Sequence, residues 1–303
     1  MRVIEHSLVM KRPDRKCGKI YLYCAVFMED LKMRNLPEML SGIDTLLNEL
    51  NSYRPLTKSE VNRLREEFLI NFTYNSNAIE GNTLTLQETA LILNEGITIG
   101  EKPLRDHLEV IGHKEAYLFI EELVKDKTGL SEKVIKDIHS LVLMEQRENR
   151  GVYRRLPVMI MGAVHTPPQP YMVPVKMEQL LNEYTQNTNE HIVKKVAKFH
   201  LDFEAIHPFI DGNGRTGRLI LNLELMKHGF PPINIKFSDR KRYYNCFTSY
   251  NINNDPEEMI LLIAENVESE IKRYIEIIKM ANGITEGKYS KEQLQEDDEN
   301  QEI

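Results

Sequence analysis

FHLDFEAIHPFIDGNGRTGRLILNLEL, residues 199–225, decides how this chain folds around its chemistry. Apolar residues run at helical spacing into His207, and Pro208, which has no amide hydrogen, ends that helix. Asp211-Gly-Asn-Gly-Arg-Thr-Gly-Arg218 follows, and Leu219, Ile220, Leu221 and Leu223 open another helix. Glycines between two helices let successive backbone amides converge on one point. That point sits at a helix N-terminus, where the dipole favours an anion. Arg215 and Arg218, three residues apart, add two positive forks. The stretch Asp211, Gly212, Asn213, Gly214, Arg215, Thr216, Gly217 and Arg218 therefore reads as a phosphate cradle. It is not a Walker A loop, because no Gly-Lys-Ser/Thr closes it.

A base and a carboxylate stand beside the cradle. A histidine near its reference pKa can take a proton from a hydroxyl at neutral pH, which suits His207. Asp211 facing phosphates suits Mg²⁺, a hard cation that prefers oxygen ligands. Base, metal and anion site together define phosphoryl or nucleotidyl transfer. A glycine-rich turn or an arginine pair alone is ordinarily structural; their coincidence with His207 and Asp211 favours chemistry. Glu204 and His207 also form an ExxH pair, as in di-iron bundles, but such bundles need two. Glu109-x-x-x-His113 has the wrong spacing to be the second. His139 and His200, each on an apolar helical face, read as satisfied core histidines.

Helical periodicity dominates the remainder. Thr57 with Glu60 and Thr85 with Glu88 form capping-box patterns, the second leading to a stop at Gly96. Further helices are expected over 104–124, from Ser131 or Glu132, over 192–206 and over 256–280. VMIMGAVHTPPQPYMV, residues 158–173, breaks the pattern, with β-formers flanking a turn, and predicts a short hairpin. The fold class is thus all-α with a β-hairpin.

Composition bounds the rest. The 303 residues carry a net charge of −7, of which the tail from Glu286 holds −5 through seven acids and two lysines. That argues against nucleic-acid binding, which calls for a basic face. No apolar run approaches the ~20 residues of a membrane span. Cys17, Cys24 and Cys246 show no disulfide or zinc spacing, and no signal-type apolar block opens the chain, so a reducing cytoplasm is expected. The expected organisation is 1–50, an N-terminal extension and first helix; 51–100, a helical region; 101–282, the core; and 283–303, a disordered acidic tail.

HPFIDGNGRTGR, His207 to Arg218, matches at every specified position the pattern HPFx[D/E]GNGRxxR, and the chain so resembles the Fic (Fido) family. Supporting similarity covers roughly residues 50–275, including GVYR (151–154) before the predicted flap and KRYY (241–244). The resemblance implies a Fic-type helical bundle with a hairpin flap, and a protein adenylyltransferase moving AMP from ATP onto Ser, Thr or Tyr hydroxyls. It makes His207 the general base and Asp211 the Mg²⁺ ligand. Asn213 and the Gly212 and Gly214 amides would meet the α-phosphate, Arg215 the β- and Arg218 the γ-phosphate. Tyr243, Tyr244 and Asn251 would line the nucleoside pocket, with Gly162, Ala163, Val164 and His165 of the flap above it. The flap edge would dock the target by strand addition. Self-modification and a homodimer are further implications.

Ser76-Asn-Ala-Ile-Glu80-Gly-Asn82 resembles the family's inhibitory motif [S/T]xxxE[G/N]. Glu80, at the end of a short helix, would pair bidentately with Arg218 and occupy the fork that the γ-phosphate needs. Alternatives are removal of AMP with Glu80 orienting a water, transfer of UMP or phosphocholine, and a non-catalytic nucleotide-sensing module.

Overall fold

Capping chemistry sets where several helices begin. Thr85 Oγ1 accepts from the Glu88 amide at 3.2 Å while Glu88 Oε2 accepts from the Thr85 amide at 2.7 Å, a reciprocal box that satisfies two orphan donors. Ser131 does the same work alone, accepting from the Val134 amide. The computed structural model describes residues 35–54, 58–160, 162 and 164–281. Most of the expected N-terminal extension, with Cys17 and Cys24, the Thr57 cap, Ala163 and the acidic tail lie outside these. The described helices are α1 (Leu36–Ser52), α2 (Lys58–Ile79), α3 (Leu86–Glu95), α4 (Leu104–Lys125), α5 (Glu132–Val142), α6 (Val173–Gln186), α7 (Ile192–Ile206), α8 (Asn213–Lys227), α9 (Arg240–Asn253) and α10 (Glu257–Ala281). The chain divides into two units, Met1–Gly42 and Ile43–Ile303, and the site lies wholly in the second.

Helix α8 is the axis of that unit. Its residues from Leu219 to Leu225 are all buried, which requires neighbours on every side. They come from α2, α4, α5 and α7. Phe68 and Phe72 of α2, Tyr117 of α4, Ile138 and Val142 of α5, and Phe199 and Phe203 of α7 fill one core with Leu219 and Leu223. Phe209, from the loop that enters α8, belongs to the same core. Its ring stacks on His139 with centroids 3.6 Å apart and planes 5° from parallel. The cradle is thus fixed from below by a buried ring.

The hairpin expected over 158–173 does not form: among the described residues of that stretch no strand exists. Pro167, Pro168 and Pro170 remove three ladder donors, and among the described residues no neighbouring strand offers partners. The segment runs as an irregular strap, turning at Gly162 (φ 78°) and tied down by side chains. Its final residue, Val173, already opens α6, whose buried Val173, Met177, Leu180 and Tyr184 are spaced at three and four. That periodicity, with Pro174 in the first turn, was the available signal for α6. Nor is the helix before Glu80 short: α2 has 22 residues.

Candidate functional site

His207 caps α7 with a left-handed backbone (φ 48°, ψ 61°), unusual for a residue with a Cβ. Arg154 holds that conformation. Its Nε donates to the His207 carbonyl at 2.7 Å, its Nη2 to the Pro168 carbonyl at 2.5 Å, and its amide to the Pro208 carbonyl at 2.9 Å. One buried guanidinium therefore clamps the end of α7 to the strap. His165 adds a second tie, through Nε2 to the Ala205 carbonyl at 2.8 Å.

A cavity of about 420 Å³ opens between these elements. Of the residues named from the sequence, Glu80, Gly162, Val164, His165, His207, Gly214, Arg218, Tyr243, Tyr244 and Asn251 line it. Glu204, Phe247 and Thr248 line it too, and were not singled out as site residues. Burial, helped by the Arg154 charge, lowers the His207 imidazole to about 4, so the ring is neutral and able to accept a proton at pH 7. Its Nδ1 lies 3.8 Å from Glu204 Oε2. Burial and then Glu80 push the Glu204 carboxyl up to about 8. The cavity floor thus pairs two neutral groups.

Arg218 is 2% exposed and fully engaged. Its Nη2 donates to Glu80 Oε1 at 2.8 Å and to the Ser76 carbonyl at 2.7 Å, and its Nε donates to Ser76 Oγ at 3.0 Å. The Glu80 contact uses one carboxylate oxygen, not the expected two, because the rest of the fork is held by Ser76 and by the Tyr243 hydroxyl, which accepts from Nη1 at 3.3 Å. Gly214 makes this approach possible: a Cβ there would sit 2.1 Å from Glu80 Oε1. Gly217 serves packing instead, since a Cβ would meet Glu204 Oε1 at 2.7 Å and His200 Nδ1 at 2.8 Å on α7.

The remaining cradle residues are not among those lining this cavity. Asn213, expected at a phosphate, spends its side chain on the loop: Oδ1 accepts from the Phe209 amide and Nδ2 donates to the Phe209 carbonyl, both at 2.9 Å. The Gly212 amide donates to Asp211 Oδ1 at 2.6 Å. Thr216 is fully buried. Asp211 lies on the other flank, where Gln146 Nε2 donates to Oδ2 at 3.3 Å and Arg105 Nη2 stands 3.6 Å away. Arg215 Nη2 reaches its Oδ1 at 3.4 Å.

His139 and His200 are buried. The Gly151 amide donates to His139 Nδ1 at 3.0 Å, so Nε2 carries the hydrogen and donates to the Asp211 carbonyl at 3.0 Å. His200 Nε2 pairs with the Tyr243 hydroxyl at 2.7 Å. Tyr243 is itself buried and only its neighbour Tyr244 is exposed, at 44%. His200 and Tyr243 form the wall behind the cavity, while His139 fixes the loop at Asp211.

Among the described residues no group of three or more His, Cys, Asp or Glu side chains could hold a metal, and no helix is long and apolar enough to cross a membrane. A neutral imidazole, a paired arginine at a helix N-terminus and an aromatic wall can bind a phosphorylated aromatic group and remove a proton beside it.

Comparison with known proteins gives the same outline. Residues 129–225 match the Fic/DOC family model. The chain is 34% identical over 242 residues to Protein adenylyltransferase Fic of Nematostella vectensis, covering 78% of this chain and 56% of that protein. It is 34% identical over 253 residues to Protein adenylyltransferase fic-1 of Caenorhabditis elegans, covering 81% and 48%. The chain spans about half the length of the curated relatives it matches. Among solved structures, Fic-1 (residues 134–508) of C. elegans superposes with a TM-score of 0.73 at 29% identity, covering 88% of this chain and 77% of that one. A Fic-domain-containing signalling protein of Bacteroides thetaiotaomicron gives 0.71 at 28%, covering 78% and 97%.

Proposed function

Because the chain belongs to the Fic/DOC family, we propose that it transfers AMP from ATP to a Ser, Thr or Tyr hydroxyl of a protein, releasing pyrophosphate. The observation that carries this reading is the shared cavity of His207, Gly214, Arg218 and Tyr244. Neutral His207 takes the hydroxyl proton as the hydroxyl oxygen attacks the α-phosphorus, and the bond to the bridging oxygen breaks as pyrophosphate leaves. The Gly214 amide, at the start of α8, meets phosphate oxygens; Arg215 and Arg218 hold the outer phosphates. Asn213 acts through the loop it buckles and Gly212 through Asp211, not by side-chain contact with nucleotide. Tyr244 and Asn251 flank the adenosine against the Tyr243 wall.

Asp211 would hold Mg²⁺. A lone carboxylate, 36% exposed, suits an ion that binds through one or two carboxylates and the substrate's own phosphates. When bound, that ion neutralises phosphate charge. The target segment would lie along the strap, where Met159 and Val164 are 90% and 64% exposed, and pair with its backbone. Mobile hydroxyls of a second copy are candidate targets too.

Glu80 restrains the reaction by occupying Arg218. A triphosphate that enters without that fork sits misaligned, and ~1 Å of misplacement costs about 10²-fold. With labelled ATP, Mg²⁺ and a cell lysate, Glu80→Gly should raise AMP incorporation about tenfold or more, and His207→Ala should abolish it. Equal labelling by wild type and the Glu80 variant would reject the restraint. A second reading, removal of AMP, rests on Glu80 facing the same cavity as His207, as a water-orienting carboxylate must. AMP release from an AMP-bearing protein distinguishes it.

A further inference from the structure

Glu109, on α4, belongs to no part of the reaction described so far, yet it is 4% exposed and sits among three polar side chains. Arg105 Nε donates to its Oε1 at 2.9 Å, Asn82 Nδ2 donates to its Oε2 at 2.9 Å, and Arg215 Nη1 stands 3.3 Å from Oε1. Arg215 is 1% exposed, and its Nε and Nη1 are buried without a hydrogen-bond partner. A buried guanidinium requires a counter-charge, and unspent donors on it require an acceptor. Glu109 supplies the first but, at this geometry, not the second.

We propose that Glu109 is the positioning residue that holds Arg215 for the second phosphate of the nucleotide, and that through Asn82 the same carboxylate anchors the turn carrying Glu80. This rests on the reading that the cavity takes a nucleoside di- or triphosphate. Both cradle arginines are then mated to one segment. Arg218 meets it directly, at Ser76 and Glu80, and Arg215 meets it through Glu109 and Asn82. Asn82 Nδ2 also reaches the Asp106 carbonyl at 3.0 Å, so the turn is pinned to the first turns of α4. Loosening the turn frees the fork for the third phosphate and relaxes the seat of the arginine for the second. Regulation and nucleotide grip share one carboxylate.

The test measures binding, which is independent of transfer. In the Glu80→Gly background, where Arg218 is free, ADP and AMP (each with Mg²⁺) are titrated by calorimetry with and without Glu109→Gln. Glutamine keeps the size and the acceptor for Asn82 and removes the charge facing Arg215. The expected result is a Kd for ADP at least tenfold weaker and a Kd for AMP within about twofold. A merely structural loss weakens both alike, and that result, or an unchanged ADP affinity, overturns the assignment. Should Glu109→Gln fail to fold, Asn82→Ala with Glu80 intact retains Glu109 and Arg215. It should weaken ADP by threefold or more, because the seat of Arg215 relaxes, and leave AMP unchanged; no change overturns the coupling. If the ADP-selective effect appears while Glu80→Gly transfers no AMP, the positioning role stands and the transferase reading fails.

Discussion

His207 and Glu204 share a cavity floor, and each is held neutral by burial. The consequence for His207 is that its ring stays neutral well below the usual histidine midpoint. Ring ¹⁵N shifts in the nucleotide-free protein should show no protonation down to about pH 5.5, given a value of about 4; a midpoint near 6.5 would contradict the burial argument. Glu204 behaves in the opposite sense. Its carboxyl is raised to about 8 from 4.5, so the folded protein binds that proton more tightly than the unfolded chain. Its contribution to stability is complete below about pH 4.5 and is lost as pH rises through about 8. Glu204→Gln, neutral at every pH, should therefore gain about 1–3 kcal/mol over wild type between pH 5 and 8.5 in urea titrations. A gap that stays constant with pH would show that the carboxyl is not desolvated.

Among elements, the start of α4 governs the turn that follows α2. Asp106 Oδ2 accepts from the Thr83 amide at 2.9 Å and from the Thr83 hydroxyl at 2.6 Å, and the side chain is 6% exposed. Asp106→Ala leaves a buried amide and hydroxyl unpaired, a loss of about 1–3 kcal/mol. Because that turn carries Glu80, the same change should raise AMP incorporation several-fold; destabilisation without activation would uncouple the turn from the site. The α3 cap is a separate matter. Thr85→Ala removes one side of its box and should cost about 1 kcal/mol in chemical unfolding, with AMP incorporation unchanged.

At the scale of the molecule, the site is one end of a helix surrounded by others. Leu219 and Leu223 anchor α8 in the core, so its N-terminus cannot shift without repacking α2, α4, α5 and α7. Nucleotide binding should therefore register as global stability. A saturating non-hydrolysable ATP analogue should raise the melting temperature of Glu80→Gly more than that of wild type, since about 100 times Kd adds about 2.7 kcal/mol. His207→Ala should leave that shift intact, because the imidazole moves a proton and does not bind the outer phosphates. An equal shift with that analogue in wild type and the Glu80 variant would mean that Arg218 is accessible despite its partner.

The sequence alone determined the helices whose ends carry chemical marks. The Thr85–Glu88 box, the Ser131 cap and Pro208 after His207 are local signals that need no distant partner. It also carried the proposal that 211–218 binds an anion, since glycine spacing and paired arginines act over a few bonds. Among the described residues of 158–173 the expected hairpin is absent, because Pro167, Pro168 and Pro170 remove ladder donors and the segment is tied down by side chains instead. That the Asn213 side chain closes on the Phe209 backbone was likewise not legible in the sequence. Glu80 and Arg218 lie 138 residues apart. Their one-oxygen contact, and the seat of Arg215 against Glu109, were decided by how α2 and α4 pack on α8. Such geometry depends on helix packing, which spacing along a chain does not encode.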